Sequence, residues 1–413
     1  MLSSLTPSER LVSALTSIHA GDRDVRAWEY LAVDEAMRCA GTLDHGRDLS
    51  AYPSLHGLVV GVKDVIDVAG MPTKAGSRSQ ANAAAALADA VVVSGLRRAG
   101  TIILGKTKTT EFAYTDPTDT ANPANHDHTP GGSSSGSAAA VAAGTADLTL
   151  GTQTVGSVCR PAAYCGVGAF KPTTGTTPTI GVTPLARSFD TVGFFAKRIS
   201  VAYDGFACAT GIAPLGSPDT VSPLKIGVLS DPFYQTASGD VLAAMQKALN
   251  RFEKLGATIS RIAMGVDFPA MRENHRTMMF TEAFARHGEL LHAPSLLGQN
   301  WLAALERGRQ ISEEDYWHAR DQLAQAKLRM ALAIADVDVM LLPPAPSTAP
   351  KGLHSTGDAG FILPWTVLGS PLAVVPTGLA PAGLPTAVMI AGKPYGDLRT
   401  AEVANRLQIE LNK

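Results

Sequence analysis

The feature that most constrains this chain is a recurrence of short, largely apolar runs separated by helix-like segments. Leu58 to Val62 in "LHGLVVGVKD" (55–64) precedes the helical pattern "ADAVVVSGLRRAG" (88–100), closed by Gly100, and then the buried run "TIILGKT" (101–107). The alternation returns in "LTLGT" (148–152), "KIGVL" (225–229), the helix "GDVLAAMQKALNRFEKLG" (239–256) and "ATISRIAM" (257–264). It continues through "VDVMLLPP" (337–344), "PLAVVPTG" (371–378) and "PTAVMIAG" (385–392). Runs without polar alternation suit strands covered by helices on both faces, so the pattern predicts an α/β protein.

A chain of 413 residues with 45% apolar and 17% charged residues can bury a large core and is not of disordered composition. Residues 267–335 differ: they are helical by periodicity, richer in charge, and carry Trp301, Tyr316 and Trp317. They read as a helical insertion covering one edge of the sheet, with Met271, Met278 and Met279 more simply placed in its core. No linker and no solenoid-period repeat interrupts the chain, so one large mixed unit over 1–413 is expected.

The formal net charge of −2 gives no electrostatic case for nucleic acid or an anionic membrane surface, and no apolar run approaches a membrane span. At the N-terminus, Thr6-Pro7-Ser8-Glu9 fits a helix start. Leu11, Val12, Leu15 and Ile18 then share one face, an amphipathic helix rather than an apolar leader. Cys39, Cys159, Cys165 and Cys208 form neither a CxxC pair nor a metal-ligand cluster, which fits reduced thiols in a cytoplasmic protein.

Three stretches can carry chemistry. In "VVGVKDVIDVAG" (59–70) Lys63 ends an apolar strand; it is either a snorkelling side chain or a buried amine neutral enough to accept a proton. "TPGGSSSGSAAAVAAG" (129–144) has linker composition, yet it runs straight into a strong helix former, which a linker should not do. Glycines and serines at a helix start offer free N–H groups. Gly132 to Gly136 also matches G-x-S-x-G, but the preceding "ANPANHDHTP" is loop chemistry rather than the strand a nucleophile elbow needs. His275, His287, His292, His318 and His354 have no context that marks a triad base. The third stretch, "GTQTVGSVCRPAAYCGVGAFKPT" (151–173), places the glycine-flanked Ser157 after a buried strand. Arg160 follows, either a forked donor to a carboxylate or a structural residue in an ion pair or a clamp on carbonyls.

Together these blocks, with "AGTIILGKTKTTEFAY" (99–114), resemble the amidase signature family, densely over residues 55–195. The resemblance implies a single α/β/α domain around a large mixed, twisted sheet. It implies hydrolysis of a carboxamide to a carboxylic acid and ammonia through a Ser–cis-Ser–Lys triad and an acyl-enzyme. Carried over by position, Ser157 is the nucleophile, Ser133 the bridging serine after a cis peptide bond, and Lys63 the terminal base. The oxyanion hole falls on the backbone of Thr154, Val155, Gly156 and Ser157, and substrate contacts on Arg160, Gly132 and Thr152. No metal or organic cofactor is implied; the partner is a small-molecule amide, and a homodimer is expected.

Two departures from the family pattern bear on the site. Val155 stands where glycine is usual, so either its φ is negative or the oxyanion hole is perturbed. The arginine lies three residues after the nucleophile, as in malonamidase-like short-chain members, where it binds the substrate's free carboxylate. Larger aryl or alkyl amides or carbamates are the sibling expectation, and one component of a tRNA-dependent amidotransferase the rival one.

Overall fold

A computed structural model describes residues 5–46, 51–216 and 224–413. Its centre is one eleven-stranded mixed sheet. In chain order the strands are β1 (Trp28–Leu31), β2 (Val59–Lys63), β3 (Ile102–Thr107), β4 (Leu148–Gln153), β5 (Gly168–Lys171) and β6 (Thr191–Ala196). They continue with β7 (Lys225–Leu229), β8 (Thr258–Ile262), β9 (Val339–Leu342), β10 (Leu372–Leu379) and β11 (Pro385–Gly392). The spatial order is β1-β3-β2-β4-β6-β5-β10-β11-β9-β7-β8. β2 runs parallel to both β3 and β4, and β7 parallel to β8 and β9, while the central pairs from β4 to β9 are antiparallel.

The helices are α1 (Pro7–Val25), α2 (Val33–His45), α3 (Val91–Arg98), α4 (Ser135–Ala142), α5 (Cys159–Cys165), α6 (Ile199–Thr210) and α7 (Gly239–Lys254). After them come α8 (Phe268–His287), α9 (Gln299–Gln310), α10 (Glu313–Ala333), α11 (Leu363–Leu368) and α12 (Asp397–Leu411). α4 and α5 pack together on β2, β4, β10 and β11, whereas α6, α7 and α12 form a second group over β5, β6, β10 and β11. With helices on both faces, β2, β3, β4, β6, β9 and β11 are buried along their whole length, which explains their unbroken apolar runs. The architecture is the expected single α/β domain with a large mixed sheet flanked by helices.

The first helix starts as its sequence predicts: Thr6 caps Glu9 N–H, the Glu9 side chain reaches back, and Pro7 occupies the first turn. On its inner face Leu11 is buried, but Val12 is half exposed. β1, β5 and β6 lie outside the predicted runs. β1 and β5 are only four residues long, and tertiary pairing rather than periodicity decides them.

The helical insertion is α8 to α10, and it is anchored to the loop after β3. Asp116 accepts from the N–H groups of Asn300 and Trp301 at the start of α9, while Glu111 accepts from Gly298 N–H. The fully buried Trp301 stacks on Phe112 with ring centroids 5.1 Å apart. Phe112 and Ala113 are both left-handed, with φ of 44° and 61°, a conformation that non-glycine residues keep only when their surroundings hold it. Met271, Met278 and Met279 are buried core residues, as expected. Replacing Trp301 with alanine removes the largest side chain of this anchor, so Trp301→Ala is expected to lower unfolding free energy by about 3–5 kcal/mol, read from denaturant midpoints.

Candidate active site

β2 is wholly buried and delivers Lys63 at its end into the interior, where its side chain has no exposed surface. Lys63 Nζ lies 2.7 Å from Ser133 Oγ, 2.8 Å from Thr152 Oγ1 and 3.4 Å from the Thr152 carbonyl, within hydrogen-bond distance of all three. Among the described residues no carboxylate reaches ion-pair distance. Desolvation therefore dominates and holds the lysine well below its ordinary range, against an opposing pull from the charge of Asp190. A neutral amine has two N–H groups and one lone pair. With both acceptors of Thr152 taking the N–H groups, the lone pair is left for the Ser133 hydroxyl.

Ser133 follows the cis peptide bond Gly132–Ser133, and its carbonyl accepts from Thr110 N–H at 3.1 Å. The other serines of this stretch fasten the loop to the sheet. Ser137 Oγ donates to the Leu150 carbonyl and Ser135 Oγ to that of Gly131, while Ser134 Oγ bonds the backbone of Thr152. None of them caps α4 with its side chain. The helix lies so close to its neighbours that a Cβ on Gly136 would stand 2.2 Å from the Ala27 carbonyl oxygen.

Ser157 sits in the turn between β4 and α5 and is 8% exposed. It lines a cavity of about 220 Å³ with Thr154, Val155, Arg160 and, from α8, Arg272, His275 and Arg276. No hydrogen bond joins Ser157 Oγ to Ser133 Oγ. Val155 is not among the left-handed residues, so its side chain does not strain the turn. Gly156 is needed for close approach: a Cβ there would meet Ala359 Cβ at 2.8 Å and Ile362 Cδ1 at 2.9 Å. Among the described residues, the N–H groups of Val155, Gly156 and Ser157 donate to no protein acceptor.

Arg160, 6% exposed, reaches the cavity while two of its nitrogens clamp the carbonyls of Gly357 and Gly132 and the Thr356 hydroxyl. Its buried Nε has no partner, and no carboxylate pairs with it among the described residues. Gly132 and Thr152 are not among the residues that line this cavity. Gly132 presents its carbonyl to Arg160, and Thr152 spends both oxygens on Lys63.

Several contributors were not singled out by sequence reasoning. Asp190, buried and pushed up to about 7 by desolvation, accepts from Thr154 Oγ1 and from the N–H groups of Leu185 and Ala186. Thr366, on α11, reaches the Val155 carbonyl. His275 stands beside the turn rather than as a triad base. No local motif marks these residues; each acts across more than 30 positions of chain. A larger polar cleft of about 440 Å³ includes Glu29, Lys74, Lys108 and Asp119, but Lys74 pairs with Glu29 at 3.1 Å and Lys108 with Asp119 at 2.6 Å. The four cysteines are unpaired, and no described helix is long and apolar enough to cross a membrane. Among the described residues, no group of three or more His, Cys, Asp or Glu side chains could hold a metal ion.

Comparison with known proteins agrees with this architecture. The amidase family model matches residues 10–400, and the chain belongs to that family, the amidase signature family. It is a hydrolase of C–N amide bonds. A glutamyl-tRNA(Gln) amidotransferase subunit of Geobacter sp. (strain M21) is 30% identical, over 93% of this chain and 89% of its own. An amidase crystal structure superposes with a TM-score of 0.88 at 29% identity, covering 98% of this chain and 96% of that one. Native peptide amidase from Stenotrophomonas maltophilia does so with a TM-score of 0.84 at 26% identity, over 99% and 94%.

The buried lysine predicts a pH signature. Between its depressed folded value and its ordinary value near 10.5, the unfolded chain binds a proton that the folded chain does not. Stability carried by this group therefore rises with pH across that window, by at most about 1.4 kcal/mol per pH unit. Urea unfolding of the parent and Lys63→Met at about pH 7 to 9 should show the parent gaining on the variant as pH rises. A constant difference would count against a neutral lysine.

Proposed function

We propose that the protein hydrolyses a small carboxamide to a carboxylic acid and ammonia, with Ser157 as nucleophile, Ser133 as proton bridge and Lys63 as terminal base. The observation that carries this reading is the fully buried Lys63 amine held 2.7 Å from Ser133 Oγ and 2.8 Å from Thr152, two residues before the turn that lines the cavity with Thr154, Val155 and Ser157.

An amide carbonyl is a poor electrophile with a poor leaving group, so the attacking hydroxyl must be deprotonated and the departing nitrogen protonated. As Ser157 Oγ bonds the carbonyl carbon, its proton passes to Ser133 Oγ while the Ser133 proton passes to Lys63. The oxyanion formed is met by the free N–H groups of the 155–157 turn, each contributing about 3–4 kcal/mol by the usual magnitude. The relay then reverses: Ser133 protonates the nitrogen, the C–N bond breaks, and ammonia leaves. Water repeats the sequence on the ester and releases the acid and Ser157.

A cavity of about 220 Å³ is below the ~300 Å³ at which drug-sized ligand sites begin, which favours a small substrate over larger aryl amides. Arg160 adds a buried cation on the cavity wall with no carboxylate at ion-pair distance among the described residues, which supports a carboxylate on the substrate, as in malonamidase-like members. The unpaired thiols suit action in the cytoplasm. A second reading, one component of a tRNA-dependent amidotransferase, is favoured by the names of the curated relatives, which include amidotransferase subunits of Geobacter and Halothermothrix orenii. Hydrolysis of simple amides by the purified chain alone separates the two.

A fluorophosphonate probe should label Ser157, with the adduct mapped by mass spectrometry. Labelling is expected to vanish in Ser157→Ala and to fall by about three orders of magnitude in Lys63→Ala, the scale of losing a nucleophile's base. An adduct on any other serine would sink the mechanism. Arg160→Met should lower kcat/KM for carboxylate-bearing amides at least about 30-fold more than for neutral ones, as expected when a buried ion pair loses one partner. Neutral amides should also slow, because Gly132 loses the donor on its carbonyl. Equal losses for both substrate types would remove the carboxylate from the reading.

A further inference from the structure

Three successive peptide groups lead into Ser157, and the carbonyl of each is tied from behind. The Thr154 carbonyl accepts from His275 Nε2 at 3.0 Å, the Val155 carbonyl from Thr366 Oγ1 at 2.6 Å, and the Gly156 carbonyl from Arg160 N–H at 2.9 Å. These peptides are trans, so C=O and N–H point in opposite directions. Fixing a carbonyl on the far side therefore turns the following N–H toward the near side. The three N–H groups so turned are those of Val155, Gly156 and Ser157, the same three that lack a protein acceptor among the described residues.

The third tie is ordinary helix geometry at the start of α5, but the first two come from distant segments. Thr366 receives an N–H from the Gln153 side chain at 2.9 Å, which fills an acceptor position on its hydroxyl and leaves the hydroxyl proton for Val155. Gln153 is oriented in turn, because its Oε1 accepts from the N–H groups of Val158 and Cys159. His275 belongs to the helical insertion, 121 residues from the carbonyl it holds. It is fully buried, packs against Phe189 with ring centroids 4.2 Å apart, and burial pushes it down to about 4, so it is uncharged at neutral pH. A neutral imidazole has one N–H, and a carbonyl can only accept; the proton therefore resides on Nε2, and the buried Nδ1 has no partner.

Resting on the reading of Ser157 as nucleophile, we propose that His275 and Thr366 are positioning residues that aim the oxyanion-binding N–H groups from the carbonyl side. Neither touches the substrate's reacting atoms. They remove the freedom of the 154–157 turn to rotate its peptides, so its donors are already oriented when charge develops. An ordinary satisfied core histidine would explain the burial and the hydrogen bond, but would leave the chemical step unmoved when another donor or an apolar residue replaced it.

The test uses fluorophosphonate inactivation, whose phosphoryl oxygen occupies the oxyanion position, with kinact and KI measured separately. His275→Leu is expected to lower kinact about ten- to a hundredfold, below the full loss of one oxyanion donor, with KI little changed. His275→Gln, whose amide N–H can reach the same carbonyl, should recover most of that rate. Thr366→Val and Thr366→Ser form an independent pair with the same expectation, loss and retention. If the parent enzyme is not labelled at Ser157, the catalytic reading itself fails. If it is labelled there and both His275→Leu and Thr366→Val react at the parental rate, the positioning role is overturned. Equal losses in the members of each pair overturn it too. Should His275→Leu not fold, the Thr366 pair decides alone.

Discussion

Everything in this site depends on keeping one amine away from water. Lys63 is surrounded by sheet and helix, and it has hydroxyls and a carbonyl as partners where a carboxylate would be the usual companion of a buried lysine. That choice of partners matters. A carboxylate would hold the proton on the amine, whereas neutral acceptors leave desolvation to drive it off. The same molecule supplies the contrast: Lys106, one strand over on β3, is equally buried but pairs with Asp64 at 2.8 Å. Burial pulls both lysines down, yet the Asp64 charge resists it for Lys106. Two lysines on neighbouring parallel strands thus have different chemistry because of a single neighbour.

The surroundings of Lys63 also explain why the adjoining chain is so rich in small hydroxyl residues. Ser134, Ser137, Thr149 and Thr152 link α4 to β4 through short side-chain bonds, letting helix and strand approach closely without leaving buried polar groups unpaired. Larger side chains would push Ser133 away from the amine. The alanine run that follows serves the same closeness, since Ala138, Ala139 and Ala140 are wholly buried.

Wherever a run was apolar throughout, as in β2, β3, β4, β9, β10 and β11, its identity as a covered strand was legible in the sequence. The glycine-serine stretch and its two partner segments were legible through their order along the chain. What sequence could not show was geometric. The φ of Val155 is a property of the turn, and the pairings that make β1 and β5 strands lie in other segments. Thr152 lies in the same segment as Ser157; only the parallel pairing of β2 with β4 brings it to Lys63. His275 was visible as a histidine without context, because its context is a carbonyl far away in the chain.

The separation of the insertion from the signature segments has a consequence for the shape of the cavity. Lys63, Ser133 and the turn bearing Ser157 all derive from residues 63–157, whereas Arg272, Arg276 and Met279 on α8 contribute a wall from a separate part of the chain. Substitutions at those three positions would reshape the wall while leaving the contacts of Lys63 and Ser133 in place. His275 is the exception. It reaches from that wall to the Thr154 carbonyl, so a change there is felt in the turn that bears Ser157.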